Sequence, residues 1–155
     1  MDDVLVRIAA LNAAYAHAID DDRLEDWPDL FTEDGTYRVV TRENHEAGLP
    51  LGLIHCDGAA MMRDRVTAMR TANIFEPHVY CHTIGASAIT GEDGSAWDSR
   101  SNFQVVRTMH SGAMSLFACG KYLDRIVEEN GALKLKSRVV VCDSRQIDTL
   151  LVVPL

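Results

Sequence analysis

Apolar and polar residues repeat with two different periods along the chain, and the first twenty residues show the period of a helix. Apolar side chains recur every three or four positions over residues 4–19, which predicts an α-helix buried on one face. The acidic triplet from Asp20 to Asp22 ends this pattern. We expect the triplet to supply the N-cap of a short second helix over residues 24–31, in which Pro28 falls near the first turns.

A shorter period then predicts two strands, followed by a third helix. After a turn over residues 33–35, alternation over 36–40 predicts a strand, and a polar loop over 42–50 leads to a second short strand over 51–56. The third helix is expected to begin at Asp57. Its methionines and its valine share one side, a pattern that favours core packing over contact with a cofactor.

Four long runs with the composition of β-strands occupy the second half of the chain. They cover residues 78–90, 96–110, 114–128 and 132–143, and three Gly-containing turn signals, at 91–95, 111–113 and 130–131, separate the four runs. Gly85 and Gly120 are predicted to mark bulges or bends, because strands this long in one sheet must coil strongly. Three helices followed by an antiparallel meander predict an α+β fold, with the helices laid across the concave face of one curved sheet.

Composition and charge limit the kinds of partner. The chain has 155 residues, of which 47% are hydrophobic, so we expect one domain over residues 1–155 around one core. Fifteen Lys and Arg against 23 Asp and Glu give a net charge of −8, which repels nucleic acid and anionic membranes alike. No run reaches membrane-spanning length and no signal-peptide pattern is seen, so a cytoplasmic protein is expected.

Four cysteines and an apolar tail add two further expectations. Cys56, Cys81, Cys119 and Cys142 form no C-x-x-C pair, and their apolar neighbours predict small buried side chains in a reducing compartment. The tail over residues 145–155 is too apolar to remain free in water. It is therefore expected to bury against the body of the protein or against another subunit.

The order of the elements resembles the cone-shaped folds related to nuclear transport factor 2 and cystatin, whose wrapped sheet can hold a pocket. An enzyme on such a fold can use a buried Asp, His or Tyr to move a proton next to a carbonyl. The residues able to do so here are Tyr15, His17, Tyr37, His82 and Asp124. Each also has a structural interpretation, as a core tyrosine with its hydroxyl bonded, a histidine beside an apolar stripe, or an aspartate paired across the sheet.

Ligand spacings typical of a metal or cofactor site are absent from the sequence. No H-x-x-E-H, H-E-x-x-H or facial-triad pattern occurs, nor a Gly-rich phosphate loop or a G-x-S-x-G elbow. The C-x-H and C-x-x-H pairs of a Rieske iron–sulfur site are also missing, and Cys81 is the only cysteine followed directly by a histidine. We therefore predict that this chain binds no metal and no cofactor.

Motifs along nearly the whole chain resemble the small, or beta, subunit of aromatic-ring-hydroxylating dioxygenases. The order and spacing of these motifs carry the resemblance, since each motif alone is short. Arg42 to His45 followed by Gly48 to Pro50 is most similar to the small subunits that serve aromatic acids, namely terephthalate, anthranilate, halobenzoate and salicylate. The other matching stretches are residues 11–15, 27–31, 35–39, 62–66, 77–82, 102–109, 117–125, 143–144 and 147–150.

This resemblance implies a cystatin-like cone with a filled mouth, and a hexamer of three large (alpha) and three small subunits with the small subunits in a trimeric ring. The large subunit of an NADH-dependent oxygenase of this kind carries a Rieske 2Fe–2S cluster and a mononuclear iron. The small subunits are mostly structural, so no catalytic residue of the family maps onto this chain. The expected function is that of a non-catalytic structural subunit.

An alternative from a different class is a stand-alone isomerase or dehydratase on the cone fold, using Tyr15, His17 or Asp124. It predicts an open apolar pocket with a titratable group at its bottom.

Overall fold

The computed structural model describes residues 2–49, 52–72, 76–143 and 153–155. Helices and strands follow one another in an α+β order, which confirms the predicted fold class. The helices are α1 (Asp2–Asp20), α2 (Arg42–Glu46) and α3 (Ala59–Ala72). The strands are β1 (Phe31–Thr41), β2 (Ile54–Asp57), β3 (His78–Ile84), β4 (Ala88–Asp93), β5 (Ala96–Met109), β6 (Met114–Glu129) and β7 (Ala132–Cys142).

All seven strands belong to one sheet with the order β2-β1-β7-β6-β5-β3, and β4 also pairs with β5. The antiparallel pairs β5–β6 and β6–β7 confirm the predicted meander. Strands β1 and β7 pair in parallel, from Phe31 opposite Leu135 to Thr41 opposite Cys142. Parallel neighbours cannot be joined by a hairpin, so this contact between distant parts of the chain left no local sequence signal.

Irregular positions in the ladders let the sheet curve. The run predicted over 78–90 is interrupted at Gly85, which separates β3 from β4, and both strands pair with β5. Of the bulge or bend predicted at Gly120, the bulge is wrong, because Gly120 lies in regular register with Phe103 and Cys142. Glycine is needed there for another reason, since a Cβ would lie 1.9 Å from the Val141 carbonyl oxygen. The ladder shifts of β6 lie on either side of it, before Ala118 and at Arg125.

Helices α1 and α3 cover the sheet with their apolar faces. Ile8, Leu11, Tyr15 and Ile19 of α1 are buried, and the helix contacts β3 and β7. Helix α3 packs on β1 and β2. Its buried residues include Met62, Val66 and Met69, which confirms core packing for these two methionines. Met61 was expected on the same side but is 47% exposed. Each of the buried side chains contributes about 1.5–3 kcal/mol on burial, so these two faces hold the helices on the sheet.

The predicted second helix over residues 24–31 is wrong in type. Residues Leu24–Asp26 and Pro28–Leu30 form two short 3-10 turns, and Arg23 stands at the N-cap without a capping side-chain hydrogen bond. The physical reason is Pro28, which has no N–H to donate to the Leu24 carbonyl. The Trp27 N–H donates to the Leu24 carbonyl instead, at 3.2 Å, in the tighter i to i+3 pattern.

Several predicted boundaries also need correction. Strand β1 begins at Phe31 and includes the expected turn at residues 33–35 as a ladder irregularity between Phe31 and Thr36. The loop over 42–50 contains α2, whose first turn is capped by the Thr41 hydroxyl accepting from the Asn44 N–H at 3.2 Å. Helix α3 begins at Ala59, because Asp57 pairs with Thr36 in the sheet and Gly58 has a φ of +98°.

The cysteines and the tail differ in part from expectation. Cys56 and Cys142 are buried and Cys119 is intermediate, but Cys81 is exposed because it lies on the outward phase of β3. Of the tail, residues 144–152 lie outside the described residues, whereas Pro154 and Leu155 are buried against the body of the protein. No helix in the described ranges is both long and apolar enough to cross a membrane.

Candidate functional site

Five buried polar side chains meet inside the cone, and four of them are among the largest fully buried side chains of the described residues. Tyr15 comes from α1, Tyr37 from β1, Tyr122 and Asp124 from β6, and Arg138 from β7; four are fully buried and Asp124 is 5% exposed. Register explains part of this meeting, because Asp124 and Arg138 are directly opposite on neighbouring strands. We call this set, together with Asn12, the interior cluster.

The core of the interior cluster is a bidentate ion pair. Arg138 Nε donates to Asp124 Oδ1 and Arg138 Nη2 to Asp124 Oδ2, each at 2.8 Å, and Nη2 also donates to Asn12 Oδ1 at 2.6 Å. The guanidinium carbon lies 4.2 Å from the centroid of the Tyr15 ring and 4.0 Å from that of Tyr122. These contacts replace part of the hydration that burial removes. Arg138 Nη1 and the Tyr122 hydroxyl have no hydrogen-bond partner among the described residues.

The charge on Arg138 is retained despite its burial. Burial by itself lowers the pKa of Arg138, but the Asp124 carboxylate and the two tyrosines outweigh that effect and raise the pKa above its ordinary value. The cross-strand pairing anticipated for Asp124 is therefore present, with Arg138 as its partner. Both carboxylate oxygens are occupied by the guanidinium, so this aspartate is held as an acceptor for Arg138 and not directed at an open pocket.

The main chain of Leu155 is hydrogen-bonded to the hydroxyls of two tyrosines that could otherwise bind a ligand. Tyr15 Oη donates to the Leu155 carbonyl, and Tyr37 Oη donates to the same oxygen at 3.0 Å while accepting from the Leu155 N–H at 2.9 Å. Burial raises the pKa of Tyr15 and of Tyr37. Both hydroxyls are consequently protonated hydrogen-bond donors at neutral pH, as expected for core tyrosines with bonded hydroxyl groups.

A second polar pair joins the end of α1 to β3. His82 Nδ1 lies 2.6 Å from Asp20 Oδ1, and the His82 backbone N–H donates to Asp20 Oδ2 at 2.8 Å. The His82 side chain is fully buried, edge-on to Tyr15 and Tyr80. Its Nε2 has no hydrogen-bond partner among the described residues. Asp20, predicted only as a helix-ending residue, therefore anchors β3 to α1.

His17 lies apart from Tyr15, Tyr37 and Asp124, although it lines one groove together with His82. It is exposed, and the groove lies between α1 and the connection from β3 to β4, beside Asn12 and Ser87. Tyr15 is two positions away on the helix and points into the cone, because residues two apart lie on different faces. The structure thus unites Tyr15, Tyr37 and Asp124, places His82 at their edge and leaves His17 outside.

Sequence reasoning missed Arg138, Asn12 and Asp20. One signal for Arg138 was available, because it stands between apolar positions of β7 such as Leu135 and Val140, which face the core. A charged residue in such a run requires a buried partner. Nothing local indicated that Asn12 would reach Arg138, which is 126 residues away.

The described residues do not fit an iron–sulfur or mononuclear iron site. Within the described ranges, no group of three or more His, Cys, Asp or Glu residues could hold a metal ion. The adjacent Cys81 and His82 point to opposite faces of β3, since Cys81 is exposed and His82 is buried. The Nδ1 atom of His82 is moreover occupied by Asp20.

The opposite face of the same sheet carries an apolar patch. Val79 is 59% exposed, Met114 71% and Leu116 61%. Ladder register places Val79, Thr108 and Met114 in one row across β3, β5 and β6, and Cys81, Val106 and Leu116 in the next row on the same face. We call these residues, of which none is charged, the outer-face patch. Exposed apolar side chains that cluster in this way are typical of protein interfaces.

Comparisons with known proteins agree with this architecture. A family model for the SnoaL-like domain matches residues 5–139. The terephthalate 1,2-dioxygenase terminal oxygenase component subunit beta 1 of Comamonas sp. is 43% identical over 150 residues, covering 97% of both chains. The anthranilate 1,2-dioxygenase small subunit of Burkholderia cepacia is 40% identical over 148 residues, covering 96% of this chain and 92% of that one.

A solved structure extends the likeness to three dimensions. It is assigned as the beta subunit of an aromatic-ring-hydroxylating dioxygenase from Novosphingobium aromaticivorans, with a TM-score of 0.92, 40% identity, and coverage of 99% of this chain and 98% of that one. Identity at this level over nearly the full length confirms the resemblance carried by the motifs. The chain therefore belongs to the SnoaL-like family and, within it, to the small (beta) subunits of aromatic-ring-hydroxylating dioxygenases.

Proposed function

We propose that this chain is a non-catalytic structural subunit of the terminal component of an oxygenase that hydroxylates an aromatic acid for catabolism. Its partner is a large (alpha) subunit that carries the Rieske 2Fe–2S cluster and the mononuclear iron. Three large and three small subunits form the complex in the cytoplasm, with the small subunits in a trimeric ring. Each small subunit is one domain over residues 1–155 and holds no catalytic residue.

The observation that carries this proposal is the state of the interior cluster. Asp124 is bonded bidentately to Arg138, and the hydroxyls of Tyr15 and Tyr37 are bonded to Leu155. A general acid or base needs a substrate within hydrogen-bond reach. Here Asp124, Tyr15 and Tyr37 are already hydrogen-bonded to other groups of the protein. This favours a scaffold over the alternative of a stand-alone isomerase or dehydratase.

The outer-face patch supports the assembly part of the proposal. Val79, Met114 and Leu116 remain largely exposed in the single chain, and burying them against another subunit of the oxygenase removes apolar area from water at about 25 cal/mol per Å². The patch contains no carboxylate, so the net charge of −8 does not oppose contact at this face. Association that buries the patch also stabilises the chain by mass action.

Co-expression with the large subunit tests the proposal. We expect one complex by size-exclusion chromatography with light scattering, and loss of that complex and of its oxygenase activity for Leu116→Asp. Val6→Asp is the matched control, because Val6 is 68% exposed on α1, away from the patch. This control should assemble and turn over like the unmodified protein.

The pattern of loss identifies the occupant of the patch. If Leu116→Asp abolishes self-association of the small subunit alone, the face joins copies of this chain. If self-association is retained and only the complex is lost, the face contacts the large subunit. Two separate peaks for the unmodified chains, with full oxygenase activity in the absence of this chain, would overturn the proposal.

A further inference from the structure

Residues 153–155 lie against the interior of the cone. Pro154 and Leu155 are buried, and Leu155 has no exposed surface. The main chain of Leu155 makes three hydrogen bonds, all to the hydroxyls of Tyr15 and Tyr37. Those tyrosines lie 140 and 118 residues away in the sequence, so the contact joins one end of the sequence to the first helix and the first strand.

The receiving side is held in place by contacts that do not involve these three residues. The Tyr37 ring stands edge-on to Trp27, with centroids 5.0 Å apart, and Tyr15 stands edge-on to Tyr122 at 5.8 Å. Arg138 lies over the Tyr15 ring and is fixed by Asp124. Both hydroxyl groups are therefore directed to one point by the core itself, which is the arrangement that favours binding because little ordering remains to be done.

From this geometry we propose that the cone keeps a binding site for an N-acylated, leucine-like molecule, and that Leu155 occupies this site in cis. The isobutyl group lies within the hydrophobic core, a carbonyl oxygen accepts from two tyrosines, and the amide N–H donates to Tyr37. The N–H contact distinguishes such a molecule from a plain aliphatic acid, which offers no donor to the Tyr37 hydroxyl.

The proposal is independent of the subunit role, since it concerns what fills the cone and not what covers the outer face. It explains why a fold able to hold a pocket presents buried tyrosines that are directed at main-chain groups. It also assigns the apolar segment 153–155 a specific role, in which the chain closes its own cavity.

Deleting residues 153–155 tests the proposal with N-acetyl-leucinamide as the probe. We expect the truncated chain to melt at a lower temperature than the full chain, and millimolar N-acetyl-leucinamide to restore part of the loss in a saturable manner. N-acetyl-glycinamide, which lacks the isobutyl group, should restore less, and so should 4-methylpentanoate, which lacks the N–H that donates to Tyr37. The full chain should respond to none of these molecules.

A second variant covers the case in which the truncated chain does not fold. Leu155→Gly keeps the main chain in place and removes only the isobutyl group, so isobutanol should raise its melting temperature and leave the full chain unaffected. Adding Tyr37→Phe to the truncated chain should weaken the response to N-acetyl-leucinamide at least several-fold. The proposal is overturned if deletion leaves the melting temperature unchanged, or if neither variant responds to its probe.

Discussion

Part of each face of β6 has the opposite polarity to that usual for a folded chain in water. Towards the helices, the strand presents Tyr122 and Asp124, both buried; towards the outside it presents Met114 and Leu116, both exposed. The inner polar groups lie within a network that includes Arg138 and Asn12. Among the described residues, no comparable set of contacts covers the outer apolar groups.

The inner charged groups are bonded within the chain, whereas the outer apolar groups still face water. A buried polar network whose charges are paired contributes rigidity, and here the Asp124 carboxylate and the hydroxyls of Tyr15 and Tyr37 are already bonded within the protein. An exposed apolar surface loses free energy to water until another surface covers it. The interior thus accounts for a stable fold, and the exterior accounts for membership in a complex.

The largest expected effect comes from breaking the interior pair. Arg138→Met leaves the Asp124 carboxylate buried without its cation, which should lower the free energy of unfolding by about 3–5 kcal/mol. Urea denaturation followed by circular dichroism measures this. Adding Asp124→Leu removes the stranded charge and should recover most of the loss, whereas equal losses for the single and double variants would show that the charge itself is not what matters.

A smaller effect is expected at a surface ion pair, which sharpens the contrast with the interior pair. Arg70 of α3 bonds both carboxylate oxygens of Glu25, at 2.8 and 3.0 Å, and this lowers the pKa of Glu25 from 4.5 to about 2. Because the folded-state pKa is depressed, the stabilisation is complete above pH 4.5 and is lost as the pH falls towards 2. Both side chains are partly exposed, so the pair contributes only about 0.2–1 kcal/mol.

Glu25→Gln should therefore match the unmodified chain most closely at the acid end of this window and be less stable near neutral pH. The free energy of unfolding, measured with urea between roughly pH 3 and pH 7, checks the trend. Arg70→Gln should reproduce the same dependence, and a double variant that loses the sum of both single losses would show that the two groups do not interact.

The smallest effect on folding is expected at the outer-face patch. Leu116→Ala should change the free energy of unfolding of the isolated chain by less than about 0.5 kcal/mol, because its side chain is already in water. Ile126→Ala, on the buried phase of the same strand, should cost about 2–5 kcal/mol. A comparable loss at both positions would erase the distinction between the two faces.

Local pattern was sufficient for the elements whose periodicity reflects burial on one face. Helix α1 and the strands β5 to β7 fall close to their predicted positions, because alternation and helical spacing are properties of neighbouring residues. The errors arose where backbone chemistry or space intervened. Pro28 changed a helix into 3-10 turns, and Gly120 is required by the approach of Val141 and not by a bulge.

The candidate site was predicted in its residue types and missed in its partners. Tyr15, Tyr37 and Asp124 were identified as buried polar groups, yet the residues that engage them are Leu155 and Arg138. Those pairs join positions up to 140 residues apart. Their meeting depends on the parallel contact of β1 with β7 and on the entry of residues 153–155, neither of which has a local signal.

The α+β class, the acidic charge, the lack of metal-ligand spacing and the family follow from residue types and their order alone. Folding sets which polar groups bond to one another and which apolar groups remain exposed. That outcome depends on which residues of distant segments share a face, and a face exists only once the sheet has wrapped.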